Sequence, residues 1–235
     1  MTDQEVVLIT GTRKGIGRKL AEYYLKKGYF VVGCSRGERS IESQSYRHFC
    51  LDISDESAIK KMMQNINDEY RHIDVVINNA GISSVNSVLL TPSSSVEALM
   101  KTNFLGTFLI CREASKIMLK NRYGRIVNFS TIAVPLKIEG EAVYAASKSA
   151  IELFTKIFSK EVASANITCN CLGITLFESD MLELFSEKML NNLMEKLPIK
   201  RYATIEDITN VIDFLISRSS GYITGQTIYL GGISE

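Results

Sequence analysis

Tyr144 and Lys148 form the pair of residues in this sequence that is best suited to proton transfer. They are four residues apart in AVYAASKSAIELF, and residues at that spacing lie one turn apart on one face of a helix. A free tyrosine has a pKa near ~10, so it exchanges protons poorly at neutral pH. A neighbouring ammonium group favours the phenolate and lowers that pKa. The pair could then pass a proton to or from a substrate oxygen, although the same spacing also occurs on ordinary helix faces.

A glycine-rich segment near the N-terminus indicates a second function, the binding of a dinucleotide. Gly11, Gly15 and Gly17 lie in TGTRKGIG, directly after the apolar run EVVLIT and at the start of an amphipathic stretch. Glycine permits a tight turn and lets the backbone approach a pyrophosphate, while a helix N-terminus offers N–H groups and the positive end of its dipole. The same context assigns cofactor contacts to the other loop residues, Thr12, Arg13, Lys14 and Ile16.

The end of the second apolar run bears on the choice between NAD and NADP. An acidic residue at this point binds the ribose 2′-hydroxyl of NAD, whereas a basic residue accommodates the 2′-phosphate of NADP. The run ends in GCSRGER, with Arg36 where a carboxylate would stand, and Lys14 adds a positive charge from the glycine loop. The sequence therefore predicts NADP(H) in preference to NAD(H). The alternative is that both cations are solvated surface charges.

The elements that must position these residues alternate along the chain. Seven apolar, β-branched runs are typical of strands, at residues 5–10, 29–35, 48–53, 74–80, 124–130, 167–172 and 226–231. They are near-continuous, as expected of strands covered on both faces, and amphipathic stretches separate most of them. This alternation predicts a Rossmann-type, doubly wound α/β fold with a seven-stranded, mostly parallel sheet flanked by helices. We expect a single domain over residues 1–235, with a helical flap at about 174–197.

Composition and charge narrow the classes of function. The 235 residues are 46% hydrophobic and 23% charged, and the formal net charge of +1 gives no indication of nucleic-acid or membrane binding. Five cysteines without a C-x-x-C pair favour reduced thiols in a cytoplasmic protein. Cys169 and Cys171 are better interpreted as buried apolar groups than as metal ligands, so no metal is expected. Two histidines and the lack of a G-x-S-x-G elbow argue against a serine hydrolase.

Together, these motifs resemble those of the short-chain dehydrogenase/reductase family in its compact form. The glycine motif of that family matches Thr10 to Gly17, its N-N-A-G motif matches Asn78 to Gly81, and its Y-x-x-x-K motif matches Tyr144 to Lys148. Asp52, in CLDISDES, matches the family's adenine-side aspartate, and Asn103, in KTNFLG, matches its helix asparagine. In the overall pattern of its sequence, the chain is similar to 3-oxoacyl-carrier-protein reductases.

The resemblance implies the interconversion of a ketone and a secondary alcohol. Tyr144 would donate a proton to the carbonyl while NADPH delivers hydride, Lys148 would hold the nicotinamide ribose and tune Tyr144, and Asn103 would order a water relay. The family's active hydroxyl usually lies thirteen residues before the tyrosine, which implies Thr131 in that place and Ser130 beside it. The alternative is that Ser130, or neither residue, contacts substrate.

The resemblance also implies cofactor contacts outside the glycine loop. Besides Asp52, Tyr144 and Lys148, they are Ile53, Asn79, Ala80, Gly81, Phe177 and Ser179. The family usually has Pro-Gly after the sixth strand, where this chain has Ile174 and Thr175. Replacing Pro and Gly changes the backbone options near the nicotinamide.

Partners are implied by the same resemblance. Relatives usually form tetramers through the helices at about 96–120 and 144–164 and through the last strand, so we expect a homotetramer or homodimer. The expected substrate is a small carbonyl or alcohol. An acyl-carrier substrate is less well supported. Relatives have basic residues at two docking positions, and in this chain Arg122 is basic but Ala165 is not. The rival hypothesis is a catalytically silent NADP(H)-binding sensor or partner subunit, motivated by the departures at Thr131 and Ile174.

Overall fold

Seven parallel strands form one sheet in the computed structural model, which describes residues 4–178 and 180–234. The strand order is β3-β2-β1-β4-β5-β6-β7, and every neighbouring pair is parallel. The strands are β1 (Val6–Thr10), β2 (Phe30–Ser35), β3 (Tyr46–Cys50), β4 (Val75–Asn78), β5 (Gly124–Thr131), β6 (Ile167–Ile174) and β7 (Thr227–Tyr229). The predicted doubly wound fold is confirmed, with a sheet that is wholly parallel.

Helices connect the strands. The α-helices are α1 (Gly15–Lys26), α2 (Glu56–Tyr70), α3 (Ser93–Leu99), α4 (Gly106–Asn121), α5 (Ala133–Leu136), α6 (Ala142–Val162), α7 (Glu187–Lys196) and α8 (Ile205–Ile216). A π-helical segment, Met100–Leu105, joins α3 to α4, and short 3₁₀ turns lie at Val88–Leu90, Ala163–Ala165, Asp180–Leu184 and Arg218–Ser220. None of the helices within the described ranges is long and apolar enough to cross a bilayer.

Two hydrophobic cores lie on opposite faces of the sheet, which explains the near-continuous apolar runs. In β1, Val6 and Leu8 enter the core shared with α2, α4 and α6, while Val7 and Ile9 enter the core shared with α1 and α8. All four side chains are fully buried. Burying one such side chain is worth about 1.5–3 kcal/mol, so a polar residue at any of these positions would be strongly destabilising. Cys169 and Cys171 are also fully buried, with free thiols, as predicted for small apolar groups.

The strand order reverses between β1 and β4, and this places the site. The chain runs outward from β1 to β2 and β3, then returns to the other side of β1 at β4. In such sheets a crevice forms outside the carboxyl ends of the strands at the point of reversal. The glycine loop follows β1 at this point, and Asn79 to Gly81 follow β4.

Several element boundaries differ from those predicted. The third strand was expected at 48–53 but ends at Cys50, because Asp52 accepts hydrogen bonds from the backbone and hydroxyl of Ser54 and turns the chain toward α2. Asp55 then caps α2 by accepting from two backbone N–H groups of its first turn. The segment predicted as a helical flap contains the short Asp180–Leu184 turn and α7, which begins after a capping bond to Ser186.

Candidate active site

A cavity of about 140 Å³ at the carboxyl ends of β5 and β6 brings the predicted catalytic side chains together. Thr131, Tyr144 and Lys148 line it. A second cavity of about 470 Å³ lies along the glycine loop and the ends of β1 and β2. Asn79 and Gly81 border both cavities, so the two adjoin. The arrangement is that of a narrow reaction chamber beside a longer groove.

Lys148 is held deep in the small cavity by the backbone of β5. Its side chain is 5% exposed, and its ammonium donates a hydrogen bond to the Phe129 carbonyl at 2.9 Å. Burial lowers the pKa of Lys148 to about 8, although the nearby Cys171 and Glu152 act in the opposite direction. The group can therefore exchange a proton close to neutral pH.

The pKa of Tyr144 is shifted opposite to the sequence-based prediction. Burial raises the pKa of this phenol, and the negative charge of Glu141 raises it further, while a hydrogen bond with Thr131 acts in the lowering direction. The predicted lowering by Lys148 is therefore wrong for the protein without cofactor. The physical reason is that removal from water disfavours the phenolate, and the Lys148 ammonium is directed at the Phe129 carbonyl. Tyr144 is held here as a neutral proton donor.

The two adjacent hydroxyl residues at the end of β5 make different contacts. Thr131 lines the small cavity together with Tyr144, and its Oγ1 accepts from the Ala133 backbone N–H at 3.2 Å. The Ser130 hydroxyl donates instead to the buried carboxylate of Glu152. Tyr229 donates to the same Glu152 oxygen at 2.8 Å. Both residues therefore border the small cavity, but the Ser130 hydroxyl is bound to Glu152, whereas the Thr131 side chain interacts with the Tyr144 phenol.

Asn103 lies on the π-helical segment and is fully buried. Its side chain accepts from the backbone N–H of Ile82 at 2.9 Å and donates to the carbonyl of the same residue at 3.0 Å. It also donates to the Ser147 hydroxyl at 2.9 Å, which in turn donates to the Tyr144 carbonyl. A Cβ atom at Gly81 would lie 3.2 Å from the Asn103 Oδ1 and 3.4 Å from the Lys148 Nζ. Asn103 and Lys148 therefore converge on the glycine that ends the N-N-A-G motif.

The glycine loop fits the pyrophosphate of a dinucleotide. Gly11 has a φ of +77°, which side chains rarely adopt, and a Cβ at Gly17 would clash with the Gly11 carbonyl oxygen and with Asn79. The first N–H groups of a helix lack intrahelical partners, and no side chain within the described residues caps α1. These donors face the groove beside Gly15 and Ile16, where an anion would be stabilised.

The far end of the groove is rich in cations. Arg13, Lys14 and Arg36 line it near the end of β2. Asp52 lines it as well; burial raises the pKa of this carboxyl, but hydrogen bonds from Ser54 and the charges of Arg36 and Lys101 outweigh burial, so the pKa lies below its ordinary value. Asp52 is therefore ionised at neutral pH, as expected of a group that accepts hydrogen bonds from adenine-side N–H or hydroxyl donors.

Comparison with known proteins identifies the family. Residues 11–233 match a family model described as enoyl-(acyl carrier protein) reductase. The chain is 30% identical to the 3-oxoacyl-(acyl-carrier-protein) reductase FabG of Haemophilus influenzae, with 97% of each chain covered. This chain belongs to the short-chain dehydrogenase/reductase family. It is also 32% identical to FabG of Buchnera aphidicola, over 98% of this chain and 97% of the relative.

Solved structures of other short-chain dehydrogenase/reductases share the fold over nearly the whole chain. ElxO with NADP bound superposes with a TM-score of 0.88 at 28% identity, covering 97% of both chains. A short-chain dehydrogenase of Leptospira borgpetersenii with bound NAD⁺ gives a TM-score of 0.88 at 26% identity, covering 97% of this chain and 92% of the other. Since the two relatives hold different dinucleotides, the preference of this chain must be argued from its own residues.

Some of the cofactor residues predicted for this short-chain dehydrogenase/reductase lie outside the groove walls. Ile53, Ala80 and the loop residues Gly11, Arg13, Lys14, Gly15 and Ile16 line the larger cavity. Thr12 does not: its hydroxyl pairs with the Tyr46 hydroxyl at 2.8 Å and its N–H donates to the Cys34 carbonyl. Gly17 does not line it either and is buried in the first turn of α1. Phe177 lines the smaller cavity. Ser179 lies outside the described residues.

The departure from Pro-Gly after β6 leaves the strand intact. Ile174 is the last residue of β6 and pairs with Thr131. Thr175 is 8% exposed and borders the small cavity, and its hydroxyl has no hydrogen-bond partner among the residues that the structure describes. A buried hydroxyl without a partner suits a polar ligand group, such as the amide of a nicotinamide.

Two buried carboxylates of this short-chain dehydrogenase/reductase were missed by sequence reasoning. Glu141 is 3% exposed and lines the small cavity, and burial raises its pKa to about 7. Glu152 is 6% exposed and receives the hydroxyls of Ser130 and Tyr229. Their spacing was available as a signal, because Glu141 is three residues before Tyr144 and Glu152 four after Lys148, on the same helical face. The spacing did not indicate that the two carboxylates are buried.

Proposed function

We propose that this protein is an NADP(H)-dependent oxidoreductase that interconverts a ketone and a secondary alcohol, with Tyr144 as the general acid and base. The observation that carries the proposal is the convergence of Tyr144, Thr131 and the buried Lys148 in one cavity that adjoins a dinucleotide-sized groove. A neutral phenol and a second hydroxyl that converge on one point are suited to hold and protonate a carbonyl oxygen.

Four side chains of the protein have separate roles in the proposed reaction. Bound NADPH would supply a hydride to the carbonyl carbon. Tyr144 donates its phenolic proton to the carbonyl oxygen, and Thr131 donates a hydrogen bond to the same oxygen. The Lys148 ammonium stabilises the phenolate that remains, and its pKa of about 8 suits the return of a proton from solvent. Asn103 hydrogen-bonds the backbone of Ile82, next to Gly81, and so positions the backbone at this edge of the cavity.

The cation cluster supports a preference for NADP(H) over NAD(H). Arg13, Lys14 and Arg36 lie at the end of the groove where the 2′-phosphate of NADP binds in Rossmann folds. Charge-assisted hydrogen bonds to a phosphate are about twice as strong as neutral ones. The binding of NADP by the structural relative ElxO is in keeping with this assignment.

The segment after β6 is proposed as a flap that covers an apolar substrate, within a single domain over residues 1–235. Its Leu176, Leu193 and Leu197 form a buried cluster with Ile132 at the rim of the chamber. Closure of such a flap would exclude water from the reaction. The FabG relatives are named for acyl-carrier substrates, but here Arg122 already donates to the Ser164 carbonyl and Ala165 is buried. A small carbonyl substrate therefore fits this chain better.

Exposed apolar side chains on α4 and α6 support an oligomer. Leu119, Leu153 and Ile157 are 48%, 61% and 52% exposed on these two helices. Pairing the helices between subunits would cover them, and we propose a homotetramer or homodimer on this basis. The five free cysteines agree with a reducing, cytoplasmic location.

Turnover of NADPH with a panel of ketones tests the function. We expect oxidation of NADPH that depends on ketone, and loss of at least about 100-fold of kcat in Tyr144→Phe, because the acid is removed. The matched control is Tyr222→Phe, which changes a fully exposed tyrosine and should retain the activity. Turnover that survives Tyr144→Phe would exclude this acid. Tight NADPH binding without turnover of any ketone would favour the rival sensor hypothesis.

A further inference from the structure

A buried carboxylate lies in the reaction chamber next to the proposed acid. Glu141 is 3% exposed and lines the same cavity as Tyr144 and Lys148. It is the one carboxylate among the described residues that line this cavity. Burial raises the pKa of the Tyr144 phenol, and the negative charge of Glu141 raises it further.

The fold makes no use of this carboxylate. Glu141 occupies the N-cap position of α6, but its side chain makes no capping hydrogen bond. Its backbone N–H donates to the Ile138 carbonyl and its backbone carbonyl accepts from Ala145 at 2.7 Å. Across residues 4–178 and 180–234, the carboxylate itself has no hydrogen bond or ion pair, and burial is the cause that raises its pKa to about 7.

A carboxylate that faces a largely apolar chamber and receives no donor from the protein is poorly stabilised there, so its position requires another explanation. The cation that shares the cavity, Lys148, donates to the Phe129 carbonyl. The remaining neighbours in the chamber are largely apolar, and include Ile132, Ile138 and Leu193. A ligand that brought a hydrogen-bond donor into the chamber would satisfy Glu141 without any rearrangement of the fold.

We propose that Glu141 selects substrates that carry a hydrogen-bond donor, a hydroxyl or an ammonium group, next to the carbonyl that is reduced. The inference rests on the proposed function, since Tyr144 marks the position of that carbonyl. Glu141 and Tyr144 line the same small cavity. A donor that reaches Glu141 while the carbonyl contacts Tyr144 must therefore lie close to that carbonyl in the substrate. The apolar walls suit a hydrocarbon body beyond it.

The same geometry acts against other substrates. A ketone without the donor leaves the carboxylate desolvated and unpaired, and an anionic group at this point would be repelled. The carbonyl of a 3-oxoacyl thioester is flanked by two carbon atoms that carry no O–H or N–H group. Glu141 therefore predicts a substrate class that differs from the one for which the FabG relatives are named.

Three ketones test the proposal: hydroxymethyl butyl ketone and dimethylaminomethyl butyl ketone, which carry a donor, and ethyl butyl ketone, which lacks one and matches the hydroxymethyl ketone in shape. The protein variants are Glu141→Leu, which removes the acceptor, Glu141→Gln, which keeps the shape and one acceptor oxygen, and the exposed-site control Glu139→Gln. Two quantities are measured for each combination of protein and ketone. They are kcat/KM with NADPH, and the affinity of the ketone for the protein with NADP⁺, measured by calorimetry.

The wild type and the Glu139→Gln control should prefer at least one donor-bearing ketone over the ethyl ketone by about 10- to 100-fold, the range of a hydrogen bond to a charged group. Glu141→Leu should abolish that preference in both readouts, because the acceptor is removed. Glu141→Gln should retain part of a preference for the hydroxyl ketone and lose a preference for the amino ketone, which distinguishes the two donors.

Two outcomes overturn the proposal. One is a wild type that treats all three ketones alike in binding and turnover. The other is a Glu141→Leu variant that weakens all three equally, which would make Glu141 a residue that positions Tyr144. Failure of the proposed function is a different result: the wild type would reduce none of the ketones, and the binding preference would still decide the role of Glu141.

Discussion

Replacing Glu141 with glutamine should stabilise the protein without cofactor at alkaline pH and do so much less at acid pH. The side chain is 3% exposed, and its pKa is about 7 in the folded protein against an ordinary value of 4.5. Between these two values the folded state binds more protons than the unfolded state. Stability that is present below the unfolded pKa is therefore lost as the pH rises through the folded pKa.

The size of the effect follows from the two pKa values. One pKa unit corresponds to about 1.4 kcal/mol. Integrating the difference in bound protons from about pH 5 to about pH 8 gives a loss of at most about 2.5 kcal/mol in the free energy of unfolding of the wild type. Water that enters the cavity reduces this figure, because it solvates the carboxylate. Glutamine does not titrate, so the variant lacks this loss.

The assay is urea unfolding of wild type and Glu141→Gln at both pH values, at one protein concentration because an oligomer's stability depends on it. The measured quantity is the difference in the free energy of unfolding between variant and wild type at alkaline pH minus the same difference at acid pH. The other titrating groups are common to both proteins and cancel in this double difference. The advantage of the variant should grow by about 1–2.5 kcal/mol from the acid to the alkaline condition. The exposed control Glu139→Gln should show a change below about 0.5 kcal/mol. A double difference for Glu141→Gln that is as small as the control's, or of opposite sign, refutes the burial argument.

Three further predictions concern the groove and the chamber. Arg36→Ala should weaken NADPH binding by about 10- to 100-fold and NADH binding by less than about threefold, measured by fluorescence titration, and equal losses would contradict the 2′-phosphate assignment. Thr131→Ala should lower kcat by about 100-fold, because the second donor to the substrate oxygen is lost, whereas Ser130→Ala should destabilise the fold by about 1–3 kcal/mol, because it removes a donor from a buried carboxylate. Gly17→Ala should destabilise the protein by about 1–3 kcal/mol in thermal unfolding, because the new Cβ meets backbone, and an unchanged Tm would contradict the packing.

Much of the fold follows from local patterns in the sequence. The run that became β1 is apolar from Val6 to Ile9, and the structure places Val6 and Val7 in opposite cores, as a strand covered on both faces requires. Boundaries were less predictable. The third strand ends at Cys50 because Asp52 bonds Ser54, and such a side-chain turn competes with a strand that still looks apolar.

The site was predictable in its spacings but not in its electrostatics. The thirteen-residue spacing that is usual in the family favoured Thr131 over Ser130, and both residues line the small cavity with Tyr144. The direction of the Tyr144 pKa was not predictable, because burial and the Glu141 charge outweigh what the i, i+4 lysine spacing suggests. Burial is a tertiary property, and sequence spacing carries no information on it.

A crystal structure of the protein with NADP⁺ and a bound secondary alcohol tests the central claim most directly. The account predicts that the Tyr144 hydroxyl and the Thr131 hydroxyl both lie within about 3 Å of the alcohol oxygen, with Lys148 on the ribose and Ser130 still bound to Glu152. A phenol oxygen that points away from the reactive carbon of the nicotinamide, or an alcohol oxygen held by Ser130 instead of Thr131, would contradict it.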